Sequence, residues 1–326
     1  MSTKTPKLPK LLNSKIYKTG QTRGADDDVI YQNRVNRNNT VLIPYAFFNN
    51  CINETIEENF YEKGFIALIS PEEYFETKGI DDILAEQNLK IGKNALIFYY
   101  SRNQWNKYNP HTLKMKPATS RTNPLGGHYV ARVPATTSAD DKKISEGFNT
   151  SSLKGAGIRV YEYANSKTIK ECRTQLEYIY WNCIDSEEVS KEMGMTDEEI
   201  KLRIESNSKK AKKEGLADIK KLIEKRIINN NGNTICPLCL EEISAGGFYS
   251  KVLQAEGREV SDLTVTQLNL FHIDELRTGV FNHKPYNLGW GHHHCNVVTK
   301  DSGIEETLKW MKSVIERNEK EGFTIS

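Results

Sequence analysis

At residues 236–239 the chain reads Cys-Pro-Leu-Cys, and at residues 287–296 it reads Asn-Leu-Gly-Trp-Gly-His-His-His-Cys-Asn. Between these motifs lies Leu270-Phe-His272-Ile-Asp274. The stretch from Ile235 to Lys300 holds five of the seven histidines and three of the six cysteines of the sequence. Random scatter would not concentrate metal-binding side chains in this way, so we expect the functional centre of the protein in this stretch.

Four of these side chains form the pattern of a structural zinc site. They are two pairs, each with two intervening residues: Cys236 with Cys239, and His292 with Cys295. Zinc binds such sets of thiolates and imidazoles tetrahedrally in closed, non-catalytic sites. The spacing to Cys295 favours His292 over the adjacent His293 and His294 as the fourth ligand. The alternative is a set of unpaired buried cysteines beside a histidine-rich loop, which would not need the paired spacing.

The residues around the motifs predict a strand, a loop, a second strand and a helix. Residues 264–273 read Thr-Val-Thr-Gln-Leu-Asn-Leu-Phe-His-Ile, an alternating and β-rich segment that predicts a strand ending near His272. Residues 285–290 predict a shorter second strand, and residues 292–300 predict the start of a helix. The expected fold class is therefore α+β.

This arrangement resembles the ββα-metal finger of the HNH nucleases, in the variety whose finger is clamped by a structural zinc. Such fingers commonly read Asp-His-Ile near the first strand and Asn-Leu-x-x-Leu-Cys-x-x-Cys-Asn across the second strand and the helix. Residues 287–296 match the spacing of the second of these patterns, with His292 in place of its first cysteine. The resemblance covers roughly the last third of the chain.

The resemblance implies a role for each matching residue. His272 would be the general base that takes a proton from the attacking water, a task that suits an imidazole because its ordinary pKa lies near neutral pH. Asn296 would hold a catalytic Mg²⁺ through its amide oxygen, which is a hard ligand. Asn287 would brace the loop between the strands and keep His272 aimed. The implied cofactors are a catalytic Mg²⁺ and a structural Zn²⁺.

One position departs from the family pattern. The residue before the base is usually Asp or another metal ligand, and here it is Phe271, which cannot coordinate a metal. Asp274 lies two residues beyond His272, so both side chains would face the same side of a regular strand. We expect Asp274 to supply the missing Mg²⁺ ligand. The alternatives are that His293 or His294 supplies it, or that Asp274 is an ordinary turn acid.

The pattern along the whole chain predicts three regions: a mixed α/β DNA-recognition domain with a basic N-terminal arm (residues 1–166), a helical connector (167–230) and a C-terminal domain (231–326), which the resemblance implies is an HNH nuclease domain. Apolar runs of strand length at 41–44, 65–69, 94–100, 129–133 and 158–163 support the first region. Helix starts at Ser70 and near Asp81 support it as well. Apolar residues at helical spacing predict the connector helices and a final amphipathic helix over residues 304–315.

Charge is unevenly distributed, although the formal net charge is only +2. Residues 1–24 and 101–124 carry basic side chains and no acidic ones, while the last hundred residues are acidic on balance. An acidic finger alone would bind a polyanion poorly, so a basic region is required to hold DNA. The predicted DNA-binding residues are Arg102, Trp105, Lys107, Lys114, Lys116 and Arg121, with a solvated surface loop as the alternative. We expect the neighbouring turn Pro124-Leu-Gly-Gly127 to be a plain loop rather than a phosphate site.

The remaining features concern compartment and activity. No apolar run approaches transmembrane length, no signal-peptide pattern follows the basic start, and Cys51, Cys172 and Cys183 lie scattered, which predicts a cytoplasmic protein with reduced thiols and no membrane partner.

We expect a type II restriction endonuclease that cuts double-stranded DNA, as a homodimer because one centre cuts one strand. The alternatives are a homing, modification-dependent or mobile-element nuclease, a catalytically inactive zinc DNA-binding protein, and an RNA-processing nuclease.

Overall fold

The computed structural model describes residues 5–17, 41–48, 65–119, 125–131, 133, 146, 164, 166–250, 266–277, 280–300 and 302–323. The chain divides into two compact units. The sheet unit comprises residues 20–166 and 278–281, and the finger unit comprises residues 1–19, 167–277 and 282–326. The first helix, α1 (Lys10–Tyr17), therefore belongs with the C-terminal part of the chain.

Four short parallel strands form the centre of the sheet unit, in the order β1-β2-β3-β4. They are β1 (Val41–Pro44), β2 (Phe65–Ile69), β3 (Ala95–Tyr99) and β4 (Tyr129–Ala131). Strands β2 and β3 are almost continuously apolar, as expected of parallel strands that are covered on both faces. The apolar runs at 41–44, 65–69 and 94–100 thus predicted these strands, whereas residues 158–163 lie outside the described residues.

Three short helices accompany the strands: α2 (Pro71–Glu76), α3 (Ile80–Glu86) and α4 (Arg102–Lys107). The Ser70 hydroxyl accepts a hydrogen bond from the Glu73 N–H at 3.1 Å, and Pro71 opens the first turn, as the sequence predicted. Ser101 and Gln104 form a reciprocal capping box at the start of α4. The strands and helices of this unit are therefore set by local sequence signals.

Besides α1, the described part of the finger unit has four helices ahead of the metal motifs, namely α5 (Ser166–Trp181), α6 (Ser186–Glu192), α7 (Asp197–Lys213) and α8 (Ile219–Glu224). Leu176, Ile179 and Tyr180 of α5 share one hydrophobic core with Phe248 and Trp290. The Trp290 indole N–H also donates to the Leu176 carbonyl at 3.0 Å. The helices predicted as a connector therefore supply part of the core on which the metal motifs are built.

Helix α1 packs into the same core through Leu12 and Ile16, and Leu8, just before the helix, joins them. The Lys15 ammonium donates to the Leu268 carbonyl at 2.8 Å. Part of the segment expected to be a DNA-binding arm thus has a structural task. Lys4, Lys18 and Arg23 of that arm lie outside the described residues.

The last part of the unit is a two-stranded antiparallel sheet followed by two helices. The elements are β5 (Leu268–His272), β6 (Leu288–His292), α9 (His293–Thr299) and α10 (Ile304–Lys320). His272 pairs with Leu288, and Leu268 pairs with His292. The predicted order of strand, strand and helix is present, although β6 begins later than expected and runs on to His292.

Helix α9 leads the chain back to the end of β5. The Ile304 N–H, at the start of α10, donates to the Ile273 carbonyl at 2.8 Å, one residue past His272. Only the first turns of α10 are buried, at Ile304 and Thr307. No helix in the part of the chain that the structure describes is long and apolar enough to cross a membrane.

Candidate metal and catalytic centre

The four side chains of the predicted zinc site converge. One potential ligand atom from each of Cys236, Cys239, His292 and Cys295 lies within 4.8 Å of all the others. In a tetrahedral zinc site, bond lengths of about 2.0–2.3 Å put the ligand atoms roughly 3.5–3.8 Å apart. The Cys239 Sγ lies 3.3 Å from the His292 Nδ1. Both the donor set and its spacing therefore fit a metal ion of the zinc type.

Local backbone geometry presents the first two thiols. The Leu240 N–H donates to the Cys236 carbonyl at 2.8 Å, and the Cys236 N–H donates to the Glu241 carbonyl at 2.9 Å. Leu240 has φ of +65°, in the left-handed region, which closes the turn tightly. Cys236 is buried whereas Cys239 is exposed, so the cluster lies at the edge of the core.

The second pair of ligands comes from the junction of β6 and α9. His292 ends the strand and Cys295 lies in the first turn of the helix. Burial, and then the neighbouring thiols of Cys236 and Cys239, raise the pKa of Cys295 to about 12. The three sulfur atoms are thus close enough to influence each other's ionisation.

The structure distinguishes the three consecutive histidines. His292 faces the thiols. The ring Nδ1 of His293 lies 3.0 Å from the Asn269 Nδ2, and His294 is exposed. His292 is therefore the histidine that the fold brings to the cysteines.

His272, the residue expected to be the base, is half-buried at the end of β5 and contacts a second histidine. Its Nε2 lies 3.0 Å from the Nδ1 of His283, which is completely buried. Burial lowers the pKa of His283 to about 4. Burial, and then His283, lower the pKa of His272 well below its usual range. Both rings are therefore neutral at pH 7, and one N–H joins them.

His283 was not among the residues singled out from the sequence. No motif links it to His272, because it lies within the loop between β5 and β6, away from the end of β5 along the sequence. Its Nε2 is buried without a hydrogen-bond partner among the described residues. A buried imidazole with one unsatisfied nitrogen, in contact with the candidate base, is the kind of group that functional sites retain.

Asn287 is 1% exposed and connects the two ends of that loop. Its side-chain oxygen accepts from the Asp274 N–H at 2.6 Å, and its Nδ2 donates to the Asn282 carbonyl at 2.7 Å. Asn287 thereby ties Asp274 to Asn282, which directly precedes His283.

The two candidate ligands for a catalytic ion have different surroundings. The Asp274 carboxylate forms an ion pair with the Lys225 ammonium at 2.8 Å, and both side chains are partly exposed. Asn296 lies half-buried on α9. Their oxygens are hard donors of the kind that magnesium takes. A half-exposed ion pair contributes only about 0–1 kcal/mol, so the lysine is a weak competitor for Asp274.

Phe271 has a structural explanation. Its ring is fully buried in the core of the finger unit and packs against Gly291 on the paired strand. A Cβ at position 291 would lie 2.5 Å from the Phe271 ring. The position before the base is therefore a core position in this chain, and Gly291, diagonally across on the paired strand, leaves room for the ring.

The predicted DNA-binding residues divide into three groups. Trp105 is only 8% exposed and packs edge-on against Tyr99 and Tyr129, so its ring belongs to the core rather than to a nucleic-acid surface. The Lys107 ammonium is held by the Glu76 carboxylate at 2.7 Å. The remaining residues are Arg102, which is half-buried, Lys114 and Lys116, which are exposed, and Arg121, which lies outside the described residues.

Comparison with known proteins supplies the family. No curated protein sequence matches the chain. The chain is similar to a crystal structure of a type II restriction endonuclease, with 15% identity and a TM-score of 0.31 over 49% of this chain and 57% of that one. It thus spans little more than half of that protein. A family model described as BstXI restriction endonuclease matches residues 14–293, which is most of the chain. The protein belongs to the BstXI restriction endonuclease family.

Proposed function

We propose that this protein is a sequence-specific endonuclease that hydrolyses double-stranded DNA at an HNH-type centre in the finger unit. Family membership supports a restriction endonuclease. The observation that carries the HNH assignment is the position of His272, which ends β5 where it pairs with the start of β6. The cluster of Cys236, Cys239, His292 and Cys295 lies at the other end of the same strand pair, where His292 pairs with Leu268. The His272 Nε2 contacts His283, and its Nδ1 forms no hydrogen bond with the described residues.

In this proposal His272 takes the proton from the attacking water at Nδ1. That nitrogen has a lone pair only if the ring carries its proton on Nε2. His283 would select this tautomer by accepting the Nε2–H at its own Nδ1, while it keeps a proton on its buried Nε2. Because His283 stays neutral, the Nε2–H bond persists when His272 becomes an imidazolium. His283 would then be a positioning residue rather than a participant in bond cleavage.

Asn287 would keep this pair in place. Its hydrogen bonds to Asp274 and Asn282 join the chain just after His272 to the chain just before His283. Small errors in the placement of a base are costly, because proton transfer requires the acceptor within hydrogen-bond reach of the water.

The Asp274 carboxylate and the Asn296 amide oxygen would hold a divalent cation, with Mg²⁺ as the expected ion. Such an ion stabilises the negative charge that develops on the phosphate and on the leaving 3′ oxygen. The cluster of Cys236, Cys239, His292 and Cys295 would hold Zn²⁺ in a structural site, since all four positions are filled by protein ligands.

Asp274 and Lys225 give a test of this assignment. Asp274→Ala should raise the magnesium concentration for half-maximal cleavage at least about tenfold. Lys225→Met removes the competing ammonium and should lower that concentration by up to about fivefold. Lys220→Met, at an exposed position of α8, is the matched control and should change nothing. If Asp274→Ala and Lys225→Met shift the magnesium requirement in the same direction, Asp274 is not the ligand.

The function itself is tested by incubating the full chain with plasmid DNA of random sequence and magnesium, followed by run-off mapping of the ends. We expect cuts at one recurring sequence, on both strands. A cut in each strand requires two centres, so we also propose that a homodimer acts on the site. Mobility shifts without cleavage, or a preference for single-stranded RNA over duplex DNA, would contradict the proposed function.

A further inference from the structure

An open cleft of about 560 Å³ lies in the sheet unit, away along the sequence from the candidate metal and catalytic residues. It is lined by Lys90, Ile91, Gly92, Lys93, Gly126, Gly127 and His128. The lining segments precede β3 and β4, so the cleft is at the amino ends of these parallel strands. The Leu125 N–H donates to the Gly92 carbonyl at 3.0 Å and ties the two segments together.

The glycines leave backbone N–H groups available in this cleft. Gly126 has φ of +71°, in the left-handed region. A Cβ on Gly127 would lie 2.2 Å from the Pro117 carbonyl oxygen, so only glycine fits there. Neither the Gly126 N–H nor the Gly127 N–H donates to an acceptor among the described residues, whereas the flanking N–H groups of Leu125 and His128 do. Consecutive N–H groups without a protein acceptor can form a concave anion-binding surface. Of the two glycines, Gly126 is exposed and Gly127 is buried, so the Gly126 N–H is the one at the surface of the cleft.

His128 adds a third donor. Its Nδ1 accepts a hydrogen bond from the Lys116 backbone N–H at 3.2 Å, so this nitrogen carries no proton. The neutral ring must then carry its proton on Nε2. His128 is exposed, and its Nε2–H is thus a donor at the surface of the cleft.

The two lysines supply positive charge without a counterion among the residues that the structure describes. Lys90 and Lys93 are exposed, and neither ammonium forms an ion pair with the described residues. The polar side chains that line the cleft are therefore all hydrogen-bond donors, and no carboxylate is among them. An anion with several acceptor oxygens matches this lining better than a neutral or cationic ligand.

We propose that this cleft binds a phosphate group of the DNA backbone. The inference rests on the proposed function, since it assumes that duplex DNA is the substrate. It adds a contact surface that the sequence did not predict, because the Gly126-Gly127 turn was expected to be a plain loop. Backbone N–H groups and lysines of this kind fix the position of a duplex without reading its sequence.

The test measures affinity for a fluorescent duplex of random sequence by anisotropy, with calcium in place of magnesium. Lys90→Ala and Lys93→Ala should each weaken binding about eightfold at 0.1 M salt, because each phosphate contact contributes about 0.9 to the slope of log affinity against log salt. That slope should fall by about 0.9 in each variant. Lys93→Arg should retain the affinity. Lys78→Ala is the matched control, since Lys78 is exposed in the same unit and away from the cleft lining.

Three results would overturn the inference. The first is that both alanine variants bind duplex DNA with the affinity and salt slope of the wild type, while the wild-type protein binds and cuts DNA. That result would leave the proposed function intact. The second is saturable binding of inorganic phosphate, seen by phosphorus NMR and lost in Lys93→Ala, with unchanged DNA affinity; the cleft would then take a small phosphate ligand. The third is a wild-type protein that binds no duplex at any salt concentration, which removes the proposed function as well.

Discussion

His272→Ala should lower the rate of DNA cleavage by about 10²–10⁴-fold, the usual contribution of a general base. Duplex affinity and zinc content should stay at the wild-type level, because His272 lies outside the cluster of three cysteines and His292. The measurement is the single-turnover rate on a mapped cleavage site, together with the metal content and melting temperature of the variant. Cleavage within a few-fold of wild type would show that another residue is the base.

The same single-turnover assay distinguishes the role of His283 from that of His272. His283→Leu removes the acceptor that faces the His272 Nε2, whereas His283→Asn keeps an acceptor oxygen near the position of the His283 Nδ1. We expect His283→Leu to slow cleavage without changing the affinity for DNA, and His283→Asn to restore part of the rate. Nitrogen NMR of the His272 ring should show the proton on Nε2 in the wild type and its redistribution in His283→Leu. An unchanged ring spectrum would remove the positioning role even if His272 is the base.

Cys236→Ser should release the zinc ion and destabilise the finger unit. Structural zinc contributes about 10–16 kcal/mol in isolated zinc-finger peptides. The effect here should be smaller, because the cluster shares its core with α5 and α1, which hold part of the unit without metal. A loss of at least about 4 kcal/mol is expected. In a unit of this size that lowers the melting temperature by roughly 8–16 °C.

Two further serine variants show whether the metal or the packing is responsible. Cys239 is exposed, so Cys239→Ser removes a ligand with little loss of buried surface and should still abolish zinc binding. Cys172→Ser is the matched control, since it puts the same hydroxyl at a buried thiol of the same unit outside the cluster. It should keep the zinc ion at full stoichiometry. Normal zinc content and stability in Cys239→Ser would contradict the zinc assignment.

The convergence of the four ligands could be predicted from the sequence because its signals are local. Each pair lies within four residues of chain, and the chemistry of thiolates and imidazoles leaves few other uses for such a pattern. The strand that carries His272 was predictable for a similar reason, since its β-rich residues indicate a strand locally. Burial along it does not simply alternate, because Leu268 and Phe271 are both buried. The exact start of β6 was not predictable, because the pairing with β5 sets the register.

Other parts depend on contacts that no local pattern encodes. An aromatic residue in a basic loop looks the same whether it is exposed or buried, and the neighbours Tyr99 and Tyr129 decide the position of Trp105. The apolar stripes of the connector predicted that its helices are packed on one face. They did not predict that this face packs against the residues around the metal motifs, such as Phe248 and Trp290. His283 acquires its importance only through its 3.0 Å contact with His272.

The finger unit is assembled from residues 1–19, 167–277 and 282–326, and most of the sheet unit, residues 20–166, is inserted after the first of these stretches. During synthesis α1 leaves the ribosome well over a hundred residues before the core into which Leu12 and Ile16 pack. The inserted unit can fold in that interval, because domains generally fold as they emerge. Under the proposed function, hydrolytic competence would then arise only after His292 and Cys295 have been synthesised, so a translation product that stops before them would bind DNA without cutting it.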